Sequence, residues 1–552
     1  MAWTMPWRRR EGLAVAGLAA VLAALLLGLG PAGTDTAAHV FQTRFFAAHG
    51  FSLWNNLWYS GRYSFVTYSL LYYPLAGAVG IRLLAALCVV VAVIAFDAIV
   101  RTRWGDQARW ASRSMAIVLP GFVLTGAFPF LLGFSLGLLA LLAAGRRRWP
   151  EFAALCALAA AASPLAFVFV AIAILGFVLG DRWDRTAVLR ATSTLGAVAA
   201  ALVVLARLFA TQSHDPFPTR PYLLALAGSA ALAGLAWKVH DARVLRYGAL
   251  LNAAACTVAF AVSSNVGEGI TRLRLVALPV VLLALALKRW RPWPVAIVVT
   301  VLAGYWNVGP LVSSFAVGVA DPSAQAGYWQ PAVGFLERHL PTAYRVEVVD
   351  TQHHWAAAYL PLAGIPLARG WFRQDDFPQN QILYGRLTAD LYKRWLRSLG
   401  VDYVVLTDVA PDYSARGEAA LLRGGHSGLQ LALTTRHLEI FRLPSARPIV
   451  TGPGDAQVLA FGRENIIARL TRPGSYRIAV KSSPYWHTSS GCLRRGPDNM
   501  LRLYASRPGT IRITFGVTLS RMLDAAAGHP VTACGHPGNV GVGAAAPPAL
   551  AR

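Results

Sequence analysis

PAGTDTAAHVFQTRFFAAHGFSLWNNLWYSGRYSFVTYSLLYY, Pro31 to Tyr73, follows the first long apolar run of the chain. A loop between two membrane spans needs only a few polar residues. This one is long and holds a lone carboxylate, Asp35, with His39 four residues on. Two Asn, two Trp and a dense run of Tyr come after them. Such groups hydrogen-bond and stack, so the stretch reads as a built outer loop rather than a connector.

The rest of the chain agrees with a membrane setting. Of 552 residues, 56% are hydrophobic and only 14% charged, where a soluble protein is about a quarter charged. Mean hydropathy is +0.47. The formal charge of +25 is explained by Arg at the cytoplasmic ends of spans, facing anionic lipid. No nucleic-acid module motif is present, and no nucleic-acid partner is expected. The basic start MAWTMPWRRR and its apolar run resemble a signal peptide, but in a polytopic chain a retained first span fits better. Cys88, Cys156 and Cys256 sit in apolar runs as small hydrophobes. Cys492 and Cys534 lie in the polar C-terminal part and could form a disulfide outside the cytosol.

At about 20 residues per span, eleven apolar segments are expected near 11–30, 81–100, 113–126, 129–145, 152–163, 165–180, 190–209, 221–237, 247–263, 275–287 and 294–312. Ser163-Pro164 and Phe128-Pro129 break apolar stretches into pairs. Alternate loops are basic: RRR (8–10), RTRWGDQAR (101–109), RRR (146–148), DRWDR (181–185), KVHDARVLR (238–246) and KRWR (288–291). The positive-inside bias puts these loops and the N-terminus in the cytoplasm of a plasma-membrane protein. The loops of Asp35, of His214-Asp215 and of SSNVGEGITRLR (263–274) then lie outside, with everything after Pro310.

From about Asp321 charges become frequent. YRVEVVDT (344–351) and DYVVLTD (402–408) suit strands; PAVGFLERHL (331–340) and ADLYKRWLRSLG (389–400) have helical spacing. After about 448, ENIIARL, GSYRIAVKSS, MLRLYAS and GTIRITFGVT read as strands between turns, a β-sandwich-like pattern. The fold class is therefore a polytopic α-helical membrane protein of about 11 spans with an extracytoplasmic C-terminal α/β plus β-sandwich-like region. The divisions are a transmembrane domain 1–320, an α/β domain 321–447, a β-rich module 448–525 suited to carbohydrate, and a flexible tail 526–552.

Three constellations carry chemistry. Asp35 and His39 share a helical face if TDTAAH is helical, and are the candidate catalytic pair. A carboxylate just outside a span can deprotonate a hydroxyl or help hold a divalent cation; the competing reading is a helix cap. WNNLWYSGRYSF (54–65) offers Trp54, Asn55, Trp58, Tyr59 and Arg62 to a sugar, or forms an interfacial aromatic belt. Arg272 and Arg274 lie outside against the charge trend. They suit a lipid phosphate, with Glu268 as an ion-pair partner, or snorkel. His214 and Asp215 are weaker candidates. In RVEVVDTQHHW (345–355) and RGWFRQDDFPQNQILY (369–384), Trp371, Gln374 and Asp375 face either carbohydrate or the membrane loops. SSPYWHTSSGC (482–492) reads as a binding loop of the β-rich module.

TDTAAHVFQTRFFAAHG, WNNLWYSG, the TGAFPFLLGFSLGLLALLA segment from Thr125, NVGEGITRLR, ARGWFRQDDFPQN and SPYW resemble the bacterial membrane-protein family catalogued as "6-pyruvoyl-tetrahydropterin synthase-related". No Zn-binding His triad of a soluble pterin synthase is visible. The membrane half also resembles the GT-C glycosyltransferase superfamily. That resemblance implies a polyprenyl-phosphate sugar donor and a glycan or glycolipid acceptor in the cell envelope. It places Asp35 at the acidic position of the first outer loop. Thr36 stands where the commoner pattern has a second acid, which weakens the case for a metal. The Ala/Arg/Gly-rich composition fits a high-GC, actinobacterial genome. The other class of function open to the sequence is a non-enzymatic transporter or assembly factor for envelope glycans, against which the nearly charge-free apolar cores argue.

Overall fold

The computed structural model describes residues 5–211 and 213–527, with side chains from residue 10 onward. Among these residues seven helices are long and apolar enough to cross a membrane: Arg10–Leu29, Ile81–Thr125, Phe128–Gly145, Arg185–Leu208, His240–Ala261, Gly267–Leu287 and Trp293–Val319. Two shorter apolar helices, Trp149–Ala162 and Pro164–Gly180, accompany them. The chain is thus a membrane protein, and each of the eleven expected segments falls on a helix, seven helical runs having the length and apolarity to cross a membrane. The segments near 81–100 and 113–126 fall in one helical run that turns at Gly105. The segment near 221–237 is the 17-residue helix Thr219–Leu235. Pro310 sits inside the last helix instead of ending it.

Local chemistry explains the breaks. Ser163 caps the helix that Pro164 starts, accepting from the Ala166 N–H. The two Pro-broken helices then pack through small residues. A Cβ on Gly133 would lie 2.7 Å from the Ala166 Cβ, and one on Gly137 2.5 Å from Val170 Cγ2. In lipid this close approach, with its dispersion contacts, is what holds helices together.

The two ends of the bundle differ. At one end Arg101 joins Glu11 and Asp97, Arg113 joins Glu11, and Arg103 pairs with Asp181 at 2.8 Å. Trp104 Nε1 donates to the Asp241 carbonyl at 2.7 Å. The basic loops near Glu11, 101–109, 181–185 and 238–246 therefore share an end. The loops of Asp35, Asp215 and Arg272 gather elsewhere, against the 369–376 segment.

The described residues divide into two compact units, one running to 340 and including 345–446, the other made of 341–344 and 447–527. In the first unit, a four-stranded mixed sheet follows the membrane helices. Arg345–Val348 runs parallel to Val401–Thr407, which pairs antiparallel with Leu438–Arg442, and that strand with Gln430–Thr434. Helix Ala389–Leu399 buries Tyr392, Trp395, Leu396 and Leu399 at helical spacing, starts at a Thr388 cap and stops at left-handed Gly400. The second unit holds two four-stranded antiparallel sheets, ordered Cys492–Arg495, Met500–Ala505, Gly474–Lys481, Val450–Thr451 and Trp486–Thr488, Gly509–Phe515, Asn465–Leu470, Ala456–Phe461. Tyr485 and Trp486 are buried in it, so SSPYWHTSSGC is core and strand, not a binding loop. Cys492 is disulfide-bonded; its expected partner Cys534 and most of the expected tail lie outside the described residues.

The first unit carries an unusual buried charge. Glu347 is fully buried and neither carboxyl oxygen has a hydrogen-bond partner among the described residues. Arg369 nearby is spent on Asp376 and Glu418. Burial, then the neighbouring Glu418, pushes the Glu347 carboxyl well above the ordinary range. The folded state therefore keeps a proton that the unfolded chain releases above about pH 4.5. Stability from this group is present below that pH and falls as pH rises. Glu347→Gln is expected to flatten the decline. Amide exchange in the 345–348 and 401–407 strands, compared between mildly acidic and mildly alkaline buffer, checks it.

Candidate functional site

Asp35 occupies the first position before helix Thr36–His49, yet its side chain caps nothing. Its backbone N–H donates to the Thr125 carbonyl at 3.0 Å, and Thr34 Oγ1 to the same oxygen at 2.9 Å. Gly33 and Gly126 make this possible. A Cβ on Gly126, which has φ +71°, would lie 2.6 Å from the Thr36 nitrogen. The carboxylate is thereby free to face elsewhere. Oδ1 accepts from Trp371 Nε1 at 3.1 Å, and Oδ2 lies 3.6 Å from Arg272 Nη2.

Each partner of Asp35 is itself anchored. The Trp371 ring stacks on His354, which Asp350 holds at 2.6 Å. Its other neighbour is Arg373, 4.8 Å from the ring centroid. Arg373 is fixed by a two-pronged pair with Asp412 at 3.0 and 3.2 Å and by the Tyr384 hydroxyl at 2.8 Å. Arg272 lies over Phe130 at 5.7 Å, and its charge acts on the Tyr68 hydroxyl. Two residues later, Arg274 has no hydrogen bond or salt bridge among the described residues. It lines the mouth of a cavity of about 750 Å³ between the membrane helices. Phe134, Phe169, Leu224, Val280 and Trp306 are among the side chains of its largely apolar wall.

The other predicted outer-loop groups divide in two. Asp215 and Glu268 belong to the same cluster. Burial, then the charge of Glu268, lifts the Asp215 carboxyl to about 6, with Arg272 and Arg373 pulling the other way. Glu268 makes no salt bridge to Arg272, whose ion pair goes to Asp35; of the two arginines it is Arg274 whose charge Glu268 favours. His214 packs against Phe377 at 5.3 Å. Gln374 is half-buried. His39 lies apart from the open site. It is buried in a box of Tyr68, Tyr72, Tyr73, Phe128 and Phe372, with Nδ1 3.3 Å from the Tyr73 hydroxyl. Burial, helped by Arg272, lowers its pKa to about 3, so the ring is neutral.

The aromatic stretch differs most from a sugar-facing surface. Trp54, Asn55, Trp58, Tyr59 and Arg62 are all buried. Trp54 Nε1 donates to Asn56 and Asn55 accepts from the Leu57 N–H, both at 2.8 Å. Trp58 Nε1 donates to the Ala357 carbonyl at 3.0 Å. The Tyr59 hydroxyl donates to the Gly370 carbonyl at 3.0 Å and accepts from the Phe372 N–H at 2.8 Å. Arg62 Nε meets Asp375 Oδ2 at 2.7 Å, and Ser213 Oγ donates to the other Asp375 oxygen at 2.8 Å. These groups dock the first loop onto the 357–375 region. Desolvated and mutually paired, they are not available to a sugar, and neither is Asp375.

The vicinal pairs diverge rather than converge. Asp376 turns to Arg369, Asn380 and Tyr384 while Asp375 turns to Arg62. His353 goes to Asp321 and His354 to Asp350. Among the described residues no group of three His, Cys, Asp or Glu side chains could hold a metal ion. Arg373 and Tyr68 are the site residues the sequence reading passed over. The only signal for Arg373 was its place in a stretch rich in charge and aromatics.

Two variants test this geometry. Asp375→Ala leaves Arg62 buried without its partner, a loss of about 3 kcal/mol or more. It is expected to raise amide exchange in 54–63 and 369–376 together, whereas a surface pair would leave both unchanged. Trp371→Phe keeps the stack and removes the hydrogen bond to Asp35. Tryptophan fluorescence and exchange at Thr34–Thr36 should report loosening confined to that loop.

No family model matches the chain, and no curated protein does. Among solved structures it is similar to "Arabinofuranosyltransferase AftD from Mycobacteria", with a TM-score of 0.46 at 18% identity. Two classes of a point mutant of that protein give 0.46 at 19% and 0.49 at 20% identity. The alignments cover 86% of this chain and 42–43% of the other, so the chain spans less than half the length of the structures it matches.

Proposed function

We propose that the chain is a GT-C-like membrane glycosyltransferase. It would move a sugar from a polyprenyl-phosphate donor to an envelope glycan or glycolipid on the outer face. One observation carries this reading. The segment Gly267–Val276 walls an apolar cavity with Thr271 and Arg274, and two residues away Arg272 reaches Asp35. A prenyl chain suits the cavity, its phosphate suits the two guanidinium groups, and the sugar then falls beside the carboxylate.

The chemistry follows from those roles. Asp35 takes the proton of the acceptor hydroxyl, whose oxygen bonds to the anomeric carbon. The bond from that carbon to the phosphate oxygen breaks, and the phosphate leaves with the electron pair. Arg272 and Arg274 stabilise its charge, so no proton donor is needed for the leaving group. His39, neutral and enclosed, positions the loop rather than exchanging protons. Asp215 is a second carboxylate in the same cluster. The transporter reading is less well supported, because Asp97 within the helices is already tied to Arg101 at 2.5 Å.

Incorporation from a labelled polyprenyl-phosphate sugar tests the assignment. Asp35→Asn is expected to slow transfer about a hundredfold or more, with donor binding retained. Arg272→Gln combined with Arg274→Gln should weaken donor binding as well. If Asp215 were the base instead, Asp215→Asn would abolish a rise in rate through about pH 6, while Asp35→Asn would keep the parental rate and remove the role given to Asp35.

A further inference from the structure

One aromatic ring near Asp35 is left open. The rings of Trp371 and Tyr384 are half-buried, whereas Tyr413 is 58% exposed. The Arg373 guanidinium links all three, at 4.8 Å from the Trp371 ring, 5.7 Å from Tyr384 and 4.5 Å from Tyr413. The Trp371 indole N–H in turn reaches Asp35. Tyr413 is therefore connected to the candidate base through Trp371 and Arg373. Its backbone is fixed on both sides. Asp412 accepts from the Ser414 N–H and from Arg373, each at 3.0 Å, while its own N–H donates to the Asp350 carbonyl at 2.8 Å. Ser414 is buried, and its hydroxyl oxygen accepts from Arg369 at 3.0 Å. An exposed ring on a turn held in this way loses little freedom when a ligand stacks on it.

The charge around that ring has a direction. Beyond Arg373 and Asp412, which are paired with each other, the charges that act on the Tyr413 hydroxyl are those of Glu268 and Asp215. Both carboxylates are half-buried, and neither has a salt bridge among the described residues. The Asp215 N–H donates to the Ser264 carbonyl at 2.9 Å, which joins their two loops.

We infer that Tyr413, with Asp215 and Glu268 beside it, forms the acceptor subsite, and that the acceptor end it holds is a neutral, polyhydroxylated sugar. Calling the ligand an acceptor rests on the glycosyltransferase reading. The tyrosine ring offers a flat apolar face to the C–H side of a sugar. The carboxylates accept charge-assisted hydrogen bonds from its hydroxyl groups. A sugar bearing phosphate or carboxylate would bring its charge against two carboxylates that lack salt bridges, which costs affinity. The two substrates are thereby sorted by charge, with Arg272 and Arg274 for the lipid phosphate and the ring and carboxylates for the glycan.

The test uses the full chain in nanodiscs without donor, so that binding is read apart from turnover. The probes are mannotriose, arabinotriose, maltotriose and the acidic trigalacturonate. A neutral trimer should bind and slow amide exchange in 412–415 and 264–268, and trigalacturonate should bind more weakly. Tyr413→Ala should weaken binding of the neutral trimer about tenfold or more, and Tyr413→Phe, which keeps the ring, should restore most of it. Glu268→Gln should narrow the preference for the neutral trimer over trigalacturonate. No binding of any neutral trimer, tighter binding of trigalacturonate, or equal affinity in the parent and Tyr413→Ala would each overturn the inference. With labelled donor added, Tyr413→Ala should raise the acceptor KM and leave kcat nearly as it was. A parent that binds a neutral trimer through Tyr413 but transfers no sugar would remove the glycosyltransferase reading and keep the sugar subsite. A parent that transfers sugar with an acceptor KM unmoved by Tyr413→Ala would remove the subsite alone.

Discussion

The ion pair between Arg62 and Asp375 is the constraint on which the Asp35 end of the first unit rests. Both side chains are nearly sealed from solvent, at 4% and 7% exposure. A guanidinium and a carboxylate in that position cost several kcal/mol each to desolvate, and only near-ideal geometry with further hydrogen bonds offsets it. Ser213 supplies one such bond, and the Phe372 ring 4.6 Å from the guanidinium covers the other side. Three distant stretches of chain are thereby joined at one point. The loop after the first span, the loop near Asp215 and the segment before Asp376 hold one another in place.

That seam decides where Asp35 faces. Trp371 sits four residues before Asp375, and its ring is gripped between His354 and Arg373. The indole N–H reaches back to the Asp35 carboxylate. The backbone around Asp35 is held by Thr125 and Gly126, at the point where one helical run ends and the next begins. A site assembled in this way has its donors and acceptors positioned before any ligand arrives, which is what electrostatic stabilisation of a leaving group requires. Arg274, two residues from Arg272, lines the apolar cavity between the helices.

Much of the architecture was legible as sequence. Ser163-Pro164 marks a helix restart because the chemistry is local: a hydroxyl for the free N–H groups and a fixed φ. Helix Ala389–Leu399 declares itself through Tyr392, Trp395, Leu396 and Leu399, and the strands through β-branched alternation. The loops near Glu11, 101–109, 181–185 and 238–246, which the Arg bias had grouped, meet through ion pairs and a hydrogen bond. The lengths of the helices were less readable. Helix length in a bundle depends on how closely neighbours approach, and Gly133 against Ala166 is a contact between residues of different segments.

The sequence by itself determined a membrane protein with a strand-rich C-terminal part, and it singled out Asp35, Arg272 and Arg274. Composition, periodicity and charge bias act within a few residues, so they survive without the fold. Only the tertiary structure decided which side chains those residues meet. Trp54, Trp58, Tyr59 and Arg62 have the composition of a sugar site, but burial against residues some three hundred positions away makes them a docking seam. Glu268 is the near neighbour of Arg272 in sequence, yet Asp35 takes the ion pair. Hydrogen bonding and ion pairing act over a few ångströms in space, and that distance is set by packing rather than by position along the chain.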